Sequence, residues 1–260
     1  MSRAFHHHEF ALEDVVVAKG DRTVSVCLPA RDEESTVGAI VEIIHDQLVE
    51  GAGLVDELLV VDDGSTDETA AVATAAGAKV LTGTGDGKGD AMWRSLQAST
   101  GDLVVWCDAD VTNFDSRFVT GLLGPLLTDD EVVFVKGFYE RPLDGRPGKG
   151  GRVTQLVARP LISLLFPALA PILQPLAGEC AGRRDVLESV PFVPSYGVDL
   201  ALLIDVATAY GVDSIAQVDL GERVHRNRTL EELGVQSFEI LQAALARAAI
   251  PMSSSTSPGA

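Results

Sequence analysis

The chain has 260 residues, 46% of them apolar, enough to bury a full core as one large α/β domain with a C-terminal elaboration. A formal net charge of −18 argues against a nucleic-acid binder, although much of that charge is simply solvated surface. Three cysteines is an odd number, and Cys27 and Cys107 stand in apolar runs where a thiol serves as a small hydrophobe, so a reducing, cytoplasmic setting is expected.

The opening "MSRAFHHHEF" lacks the apolar core of a signal peptide, so export is not expected, and His6, His7 and His8 read as surface residues. "TVSVCLP" then reads as a strand. "STVGAIVEIIHDQLVE" reads as an amphipathic helix capped by Ser35 or Thr36. "DELLVVDDG" is a second strand, "STDETAAVATAAG" a helix closed by Gly77, "AKVL" a third strand and "GKGDAMWRSLQAST" the next helix. The strand "DLVVWC" follows. This alternation implies a parallel sheet with helices on both faces.

After "EVVFVKGFYE" the pattern changes, and a subdomain seam is expected near residue 141. "RPLDGRPGKGGR" reads as a mobile loop. The uncharged segment Pro160 to Gly178 is nearly long enough to span a bilayer. Prolines at 160, 167, 171 and 175 make a continuous helix costly there, so short buried or subunit-facing helical pieces are expected instead of a membrane span. A helix "YGVDLALLIDVATAYG", a short strand "DSIAQVDL" and a final helix from about Thr229 to Ala249 complete the pattern. The polar tail, 251–260, is expected to be disordered.

Ligands of such sheets bind beyond the carboxyl ends of the strands, and these ends carry "PARDEE", "VDDGSTD" and "CDAD". Asp108 and Asp110, two residues apart on an extended strand end, point the same way. Two like charges that close need a cation beside them. "PARDEE" stands where a dinucleotide fold needs a glycine-rich turn, and "GTGDGKG" is not a Walker loop, because Gly89 follows Lys88 where Ser or Thr is required. Lys88, at a helix start in a glycine-rich turn, suits an anion such as a diphosphate. A divalent cation between Asp110 and a diphosphate would neutralise both, while Asp108 orients sugar hydroxyls.

At this level "LPARDEESTVG", "VVDDGSTDET", "GDGKGDAMWRSL" and "DLVVWCDADVTNF" resemble the nucleotide-sugar half of GT-A glycosyltransferases. "GKGGRVTQLVARPL", "QPLAGECAGRR", "YGVDLALLID" and "ERVHRNR" narrow the resemblance to the glucosyl-3-phosphoglycerate synthases and their mannosyl relatives, over Phe5 to Arg247. The resemblance implies a Rossmann-like nucleotide-sugar half (1–140) and a mainly helical acceptor half (141–250). It also implies retaining transfer of glucose from UDP-glucose to the 2-hydroxyl of 3-phosphoglycerate, with Mg2+ or Mn2+. Carried over residue by residue, it sets uracil and ribose against Pro29, Ala30, Glu33 and Asp63, and Lys88 near the diphosphate. Asp108, Ala109 and Arg223 lie beside the donor, Asp110 and His225 become metal ligands, and Tyr196 and Asp199 face the sugar. Asp199 departs from the glutamate expected of close relatives. Gly151, Arg152, Thr154 and Asn227 would bind the acceptor.

An acidic protein must concentrate cations to hold a doubly anionic acceptor, and two basic islands fit: Arg146, Lys149 and Arg152, and Arg223, Arg226 and Arg228. No protein nucleophile is obvious, so same-face attack is expected, with the backbone around Leu176 beneath the anomeric carbon and Asp108, Asp110 and Lys88 stabilising departure. Glu179 as a covalent nucleophile is the competing idea. Competing functions are mannosyl transfer from GDP-mannose, a polyprenyl-phosphate acceptor served by the Pro-rich segment, and a non-catalytic nucleotide-sugar sensor. A homodimer is expected from the apolar segment.

Overall fold

The computed structural model describes residues 3–141, 151–224 and 229–248. Its strands are β1 (Arg3–His6), β2 (Val24–Ala30), β3 (Glu57–Asp62), β4 (Lys79–Thr82), β5 (Leu103–Trp106), β6 (Phe134–Glu140), β7 (Cys180–Arg183) and β8 (Ile215–Glu222). The helices are α1 (Leu12–Lys19), α2 (Val37–Ile43), α3 (Thr69–Ala75), α4 (Lys88–Ala98), α5 (Arg117–Thr128), α6 (Arg159–Leu165), α7 (Arg184–Glu188), α8 (Val198–Tyr210) and α9 (Leu230–Arg247). The strands form one sheet in the order β1-β8-β6-β7-β5-β2-β3-β4.

Residues alternate across the sheet between two cores. Val24, Val26 and Leu28 of β2 and Leu103 and Val105 of β5 pack with α1, α2 and α5, whereas Cys27, Val104 and Trp106 pack with α4 and α8. Both faces are dry, so these strands read as continuous apolar runs. Trp106 is fully buried, and its indole N–H reaches Ser95 Oγ at 2.9 Å, so the large ring enters the core without an unpaired donor.

The sheet is mixed, not parallel throughout: β7 runs antiparallel to both β5 and β6. Its direction follows from where the chain enters. The segment before β7 crosses the carboxyl end of β5, where Gly178 lies so close to Asp108 that a Cβ would stand 2.1 Å from Oδ1. From that end the chain can only run back down the sheet. The N-terminal residues also join the far edge, with β1 pairing β8.

Thr36 is the N-cap of α2, but its hydroxyl makes no capping bond and instead donates to Ala109 O at 2.7 Å. That bond ties the helix to the acidic strand end. α2 continues as a π-helical turn, Ile44–Gly51. The Pro-rich segment breaks as its prolines require, into α6 and a 3-10 turn at Pro167–Leu169. Among the described residues no helix is long and apolar enough to cross a membrane. α9 opens on a capping box, with Thr229 and Glu232 satisfying each other's backbone N–H groups. Cys27, Cys107 and Cys180 are buried free thiols.

Candidate active site

β2, β3 and β5 lie side by side and parallel, so their acidic carboxyl ends open on one crevice. There a cavity of about 320 Å3 is lined by Pro29, Ala30, Glu33, Asp63, Lys88, Asp108, Ala109 and Asp110 from the first half of the chain and by Gly151, Arg152, Thr154, Leu176, Tyr196, Asp199 and Arg223 from the second. Every expected site residue among those described thus faces one space. His225 and Asn227 lie outside the described residues, as do Arg146, Lys149, Arg226 and Arg228 of the basic islands.

The charges beneath this cavity alternate in sign. Lys136 Nζ stands 3.8 Å from Asp199 Oδ1, and Asp199 Oδ2 accepts from Lys88 Nζ at 3.0 Å. Lys88 also donates to Asp108 Oδ1 at 2.9 Å. Asp108 Oδ2 accepts from Arg223 Nη2 at 2.9 Å, and the same nitrogen reaches Asp110 Oδ1 at 2.6 Å. Arg223 Nε closes the chain on Glu179 Oε1 at 2.9 Å. The cation demanded by the close acid pair is therefore supplied, in this structure, by the Arg223 guanidinium.

These charges are kept ionised by one another against their burial. Burial alone would raise the Asp108 carboxyl, but Lys88 and Arg223 hold it well below the usual carboxylate range. Burial likewise opposes charge on Lys88 and Arg223, and the neighbouring acids win, so both cations are held more firmly than in water. Such a row is costly to break, because removing one member strands its partner in a dry place.

Asp63 lines the cavity, yet both its oxygens already accept backbone N–H groups, Gly85 N at 2.8 Å and Gly87 N at 2.9 Å. Its carboxylate fixes the glycine-rich turn, whose Gly87 has φ +109°, and so places Lys88 at the start of α4. Glu179 is fully buried, does not line the cavity and is tied to Arg223, which gives it the role of a buried acid orienting its loop.

Several residues here escaped the reading of the sequence. Lys136, only 1% exposed, donates to Ala177 O at 2.5 Å and so holds the segment beside Leu176. Arg141 follows the end of β6 and lines the cavity. Its Nη2 donates to Tyr139 OH at 2.8 Å, while its buried Nε has no hydrogen-bond partner among the described residues. Leu233, Gln236 and Ile240 form one face of α9 on the cavity. A strand-end signal could have found Arg141, and a helical period the three α9 residues.

The glycosyl transferase family 2 model matches residues 25–190. The glucosyl-3-phosphoglycerate synthase of Mycolicibacterium smegmatis is 50% identical over 259 residues, 95% of this chain and 84% of that protein. The chain belongs to the glucosyl-3-phosphoglycerate synthase family, within glycosyl transferase family 2. Its fold is that of the family's solved members. The Mycobacterium tuberculosis glucosyl-3-phosphoglycerate synthase in complex with Mn2+, UDP-glucose and phosphoglyceric acid matches with a TM-score of 0.89 at 45% identity, covering 97% of this chain and 89% of that one. The same enzyme with Mg2+ and UDP matches with a TM-score of 0.88 at 45% identity, covering 97% and 88%. The mixed α/β sheet with its helices is thus the GT-A arrangement expected of a glucosyl-3-phosphoglycerate synthase family member.

Proposed function

We propose that this chain transfers glucose from UDP-glucose to the 2-hydroxyl of 3-phosphoglycerate, retaining configuration at the anomeric carbon and using Mg2+ or Mn2+. One observation carries the proposal: a single cavity is lined by Lys88, Asp108 and Asp110 together with Arg141, Arg152 and Thr154. Acids suited to a cation and a diphosphate share the cavity with basic groups suited to an anionic acceptor, and a relative is crystallised with UDP-glucose and phosphoglyceric acid together.

The acid pair fits a hard dication: two carboxylates converge on one positive centre, and oxygen donors are what Mg2+ and Mn2+ prefer. Asp110 would hold the ion together with His225. Bound there, the ion supplies positive charge against which a diphosphate can leave. Lys88 adds a fixed cation on the same side, held in place by Asp108 and Asp199. Pro29, Ala30, Glu33 and Asp63 would flank uracil and ribose, with Asp108, Ala109 and Arg223 beside the donor. Tyr196 and Asp199 would face the glucose hydroxyls.

The acceptor would lie between Gly151, Arg152, Thr154 and Asn227, with the Arg141 guanidinium, which also lines the cavity, adding positive charge for the anion. Glu179 does not line the cavity and its Oε1 is held by Arg223, so it is not assigned as a nucleophile toward the sugar. The acceptor hydroxyl attacks from the face the diphosphate leaves and passes its proton to the departing phosphate. Lys136 keeps the Leu176–Ala177 backbone beneath the anomeric carbon, and catalysis rests on positioning and electrostatics. Buried free thiols support a cytoplasmic setting, and the exposed Leu156, Leu164 and Phe238 support the homodimer.

The test is a panel of UDP-glucose and GDP-mannose against 3-phosphoglycerate and a polyprenyl phosphate, with and without EDTA. Glucosyl-3-phosphoglycerate formed from UDP-glucose, lost with EDTA and restored by Mg2+ or Mn2+, is expected. Binding of UDP-glucose without turnover, or equal turnover in EDTA, would refute the reading.

A further inference from the structure

His6, His7 and His8 take no part in the cavity. β1 ends at His6, and a 3-10 turn, His7–Glu9, follows at once. A straight strand would throw consecutive side chains to opposite faces, but the tight turn gathers these three on one side. Ring centroids lie 4.6 Å apart for His6 and His7, 4.5 Å for His6 and His8, and 3.9 Å for His7 and His8. One ligand nitrogen from each ring lies within 4.8 Å of the other two. Nitrogens sharing one tetrahedral ion at roughly 2.1 Å stand about 3.4 Å apart, so small rotations about the side-chain bonds close the set.

The surroundings leave the donors usable. His6 and His7 are half-buried and His8 is exposed, so the cluster lies where an ion can reach it from solvent. Asp219, the register partner of His6 on β8, brings a negative charge to the cluster. Arg117 is the opposing cation, and its guanidinium is committed to backbone oxygens, Leu220 O at 2.9 Å and Glu222 O at 3.3 Å. At Gly221 there is no side chain, and a Cβ would come to 3.6 Å from His7 Nε2, so space beside that ring stays open.

We propose that His6, His7 and His8 form a three-imidazole site for a divalent transition metal of the zinc, nickel and copper class. Three imidazoles without a carboxylate suit these borderline ions better than they suit Mg2+, which separates this site in chemistry as well as in place from the mixed site at Asp110 and His225. Three protein ligands leave a fourth position for water. Binding rearranges the turn in one respect: His6 Nδ1 now accepts the His8 backbone N–H at 3.2 Å, and coordination through either ring nitrogen gives up that long bond. Glu9, which accepts the His6 backbone N–H at 2.6 Å, still holds the turn.

The experiment uses the full chain carrying Asp110→Asn, which silences the carboxylate site, and titrates it with Zn2+ by calorimetry and with Co2+ by visible absorption. One Zn2+ per chain and the intense absorption of four-coordinate Co2+ are expected. Adding His8→Gln alone should weaken binding at least about tenfold, and adding His7→Gln as well should abolish the Co2+ band, with circular dichroism unchanged. In a chain with native Asp110, the two glutamines should leave glucosyl transfer unchanged. No Zn2+ uptake by the Asp110→Asn chain, or uptake indifferent to the two histidines, would overturn the proposal.

Discussion

Asp63, Lys88, Asp108 and Asp110 enter the cavity from successive βα connections on one side of the sheet, each a few residues past a strand end. Arg141, Arg152, Tyr196 and Arg223 enter from the opposite side, off the end of β6, the start of the α6 region, the turn before α8 and the end of β8. The first wall is local, the second is assembled from distant segments. Electrically they are one object, because Asp108 and Asp110 of the first pair with Arg223 of the second, and Lys88 of the first pairs with Asp199 of the second. A change on either wall should therefore be felt on the other, and four substitutions rank how far.

Asp110→Asn should have the largest effect. It keeps the shape and removes the charge that both Arg223 and a dication require. We expect kcat to fall about 100-fold or more, measured as glucosyl transfer under saturating substrates. Retention of native kcat would detach Asp110 from the reaction.

Lys136→Met comes next and tests the coupling directly. Among the described residues Lys136 reaches the cavity through Asp199 and the Ala177 carbonyl. Its removal leaves Lys88 as the described counter-charge of Asp199, whose Oδ1 has no hydrogen-bond partner among the described residues, and should cost about 1–3 kcal/mol in urea unfolding. A fall in kcat with little change in either KM would mark it as a positioning residue. Arg141→Ala should be milder and one-sided, raising the acceptor KM about tenfold while leaving the UDP-glucose KM alone. If both constants rose together, the two walls would be less separable than their construction implies.

The same contrast explains what could be read from the sequence. The first wall was legible because period-two geometry and strand-end chemistry act within a few residues: Asp108 and Asp110 face one way whatever the rest of the fold does. Thr154, Tyr196 and Asp199 were reached only through resemblance, since no local rule brings them together, whereas Arg152 also stood out as part of a basic island. The direction of β7 was illegible because it depends on where the chain re-enters the sheet, beside Asp108. α5 was missed because Phe118 to Leu127 are buried on every side, which erases the amphipathic period. Lys136 was missed because a lysine in an apolar strand ordinarily marks an exposed face, and here it is paired in the interior. Thr36 carried a capping signal that tertiary structure overrode in favour of Ala109.

Glu57→Gln should have the smallest effect and sets a baseline, because Glu57 opens β3 at the end of the sheet opposite the cavity. Its carboxylate accepts Ser25 Oγ–H at 2.5 Å, Thr100 N–H at 2.7 Å and Thr100 Oγ–H at 3.0 Å. Burial opposes the charge, but these donors from Ser25 and Thr100, with Gly101 N–H, prevail and lower its pKa. A carboxyl lowered on folding binds fewer protons than the unfolded chain does. Its contribution to stability is therefore present above the unfolded pKa and is lost as pH falls through the folded one. The glutamine variant lacks that contribution, so its urea midpoint should lie slightly below the native one at neutral pH and converge with it in acid. Transfer kinetics at neutral pH should be unchanged. A loss of kcat here would mean that the sheet transmits strain from one end to the other, and the coupling assigned to Lys136 would then no longer be particular to the charges under the cavity.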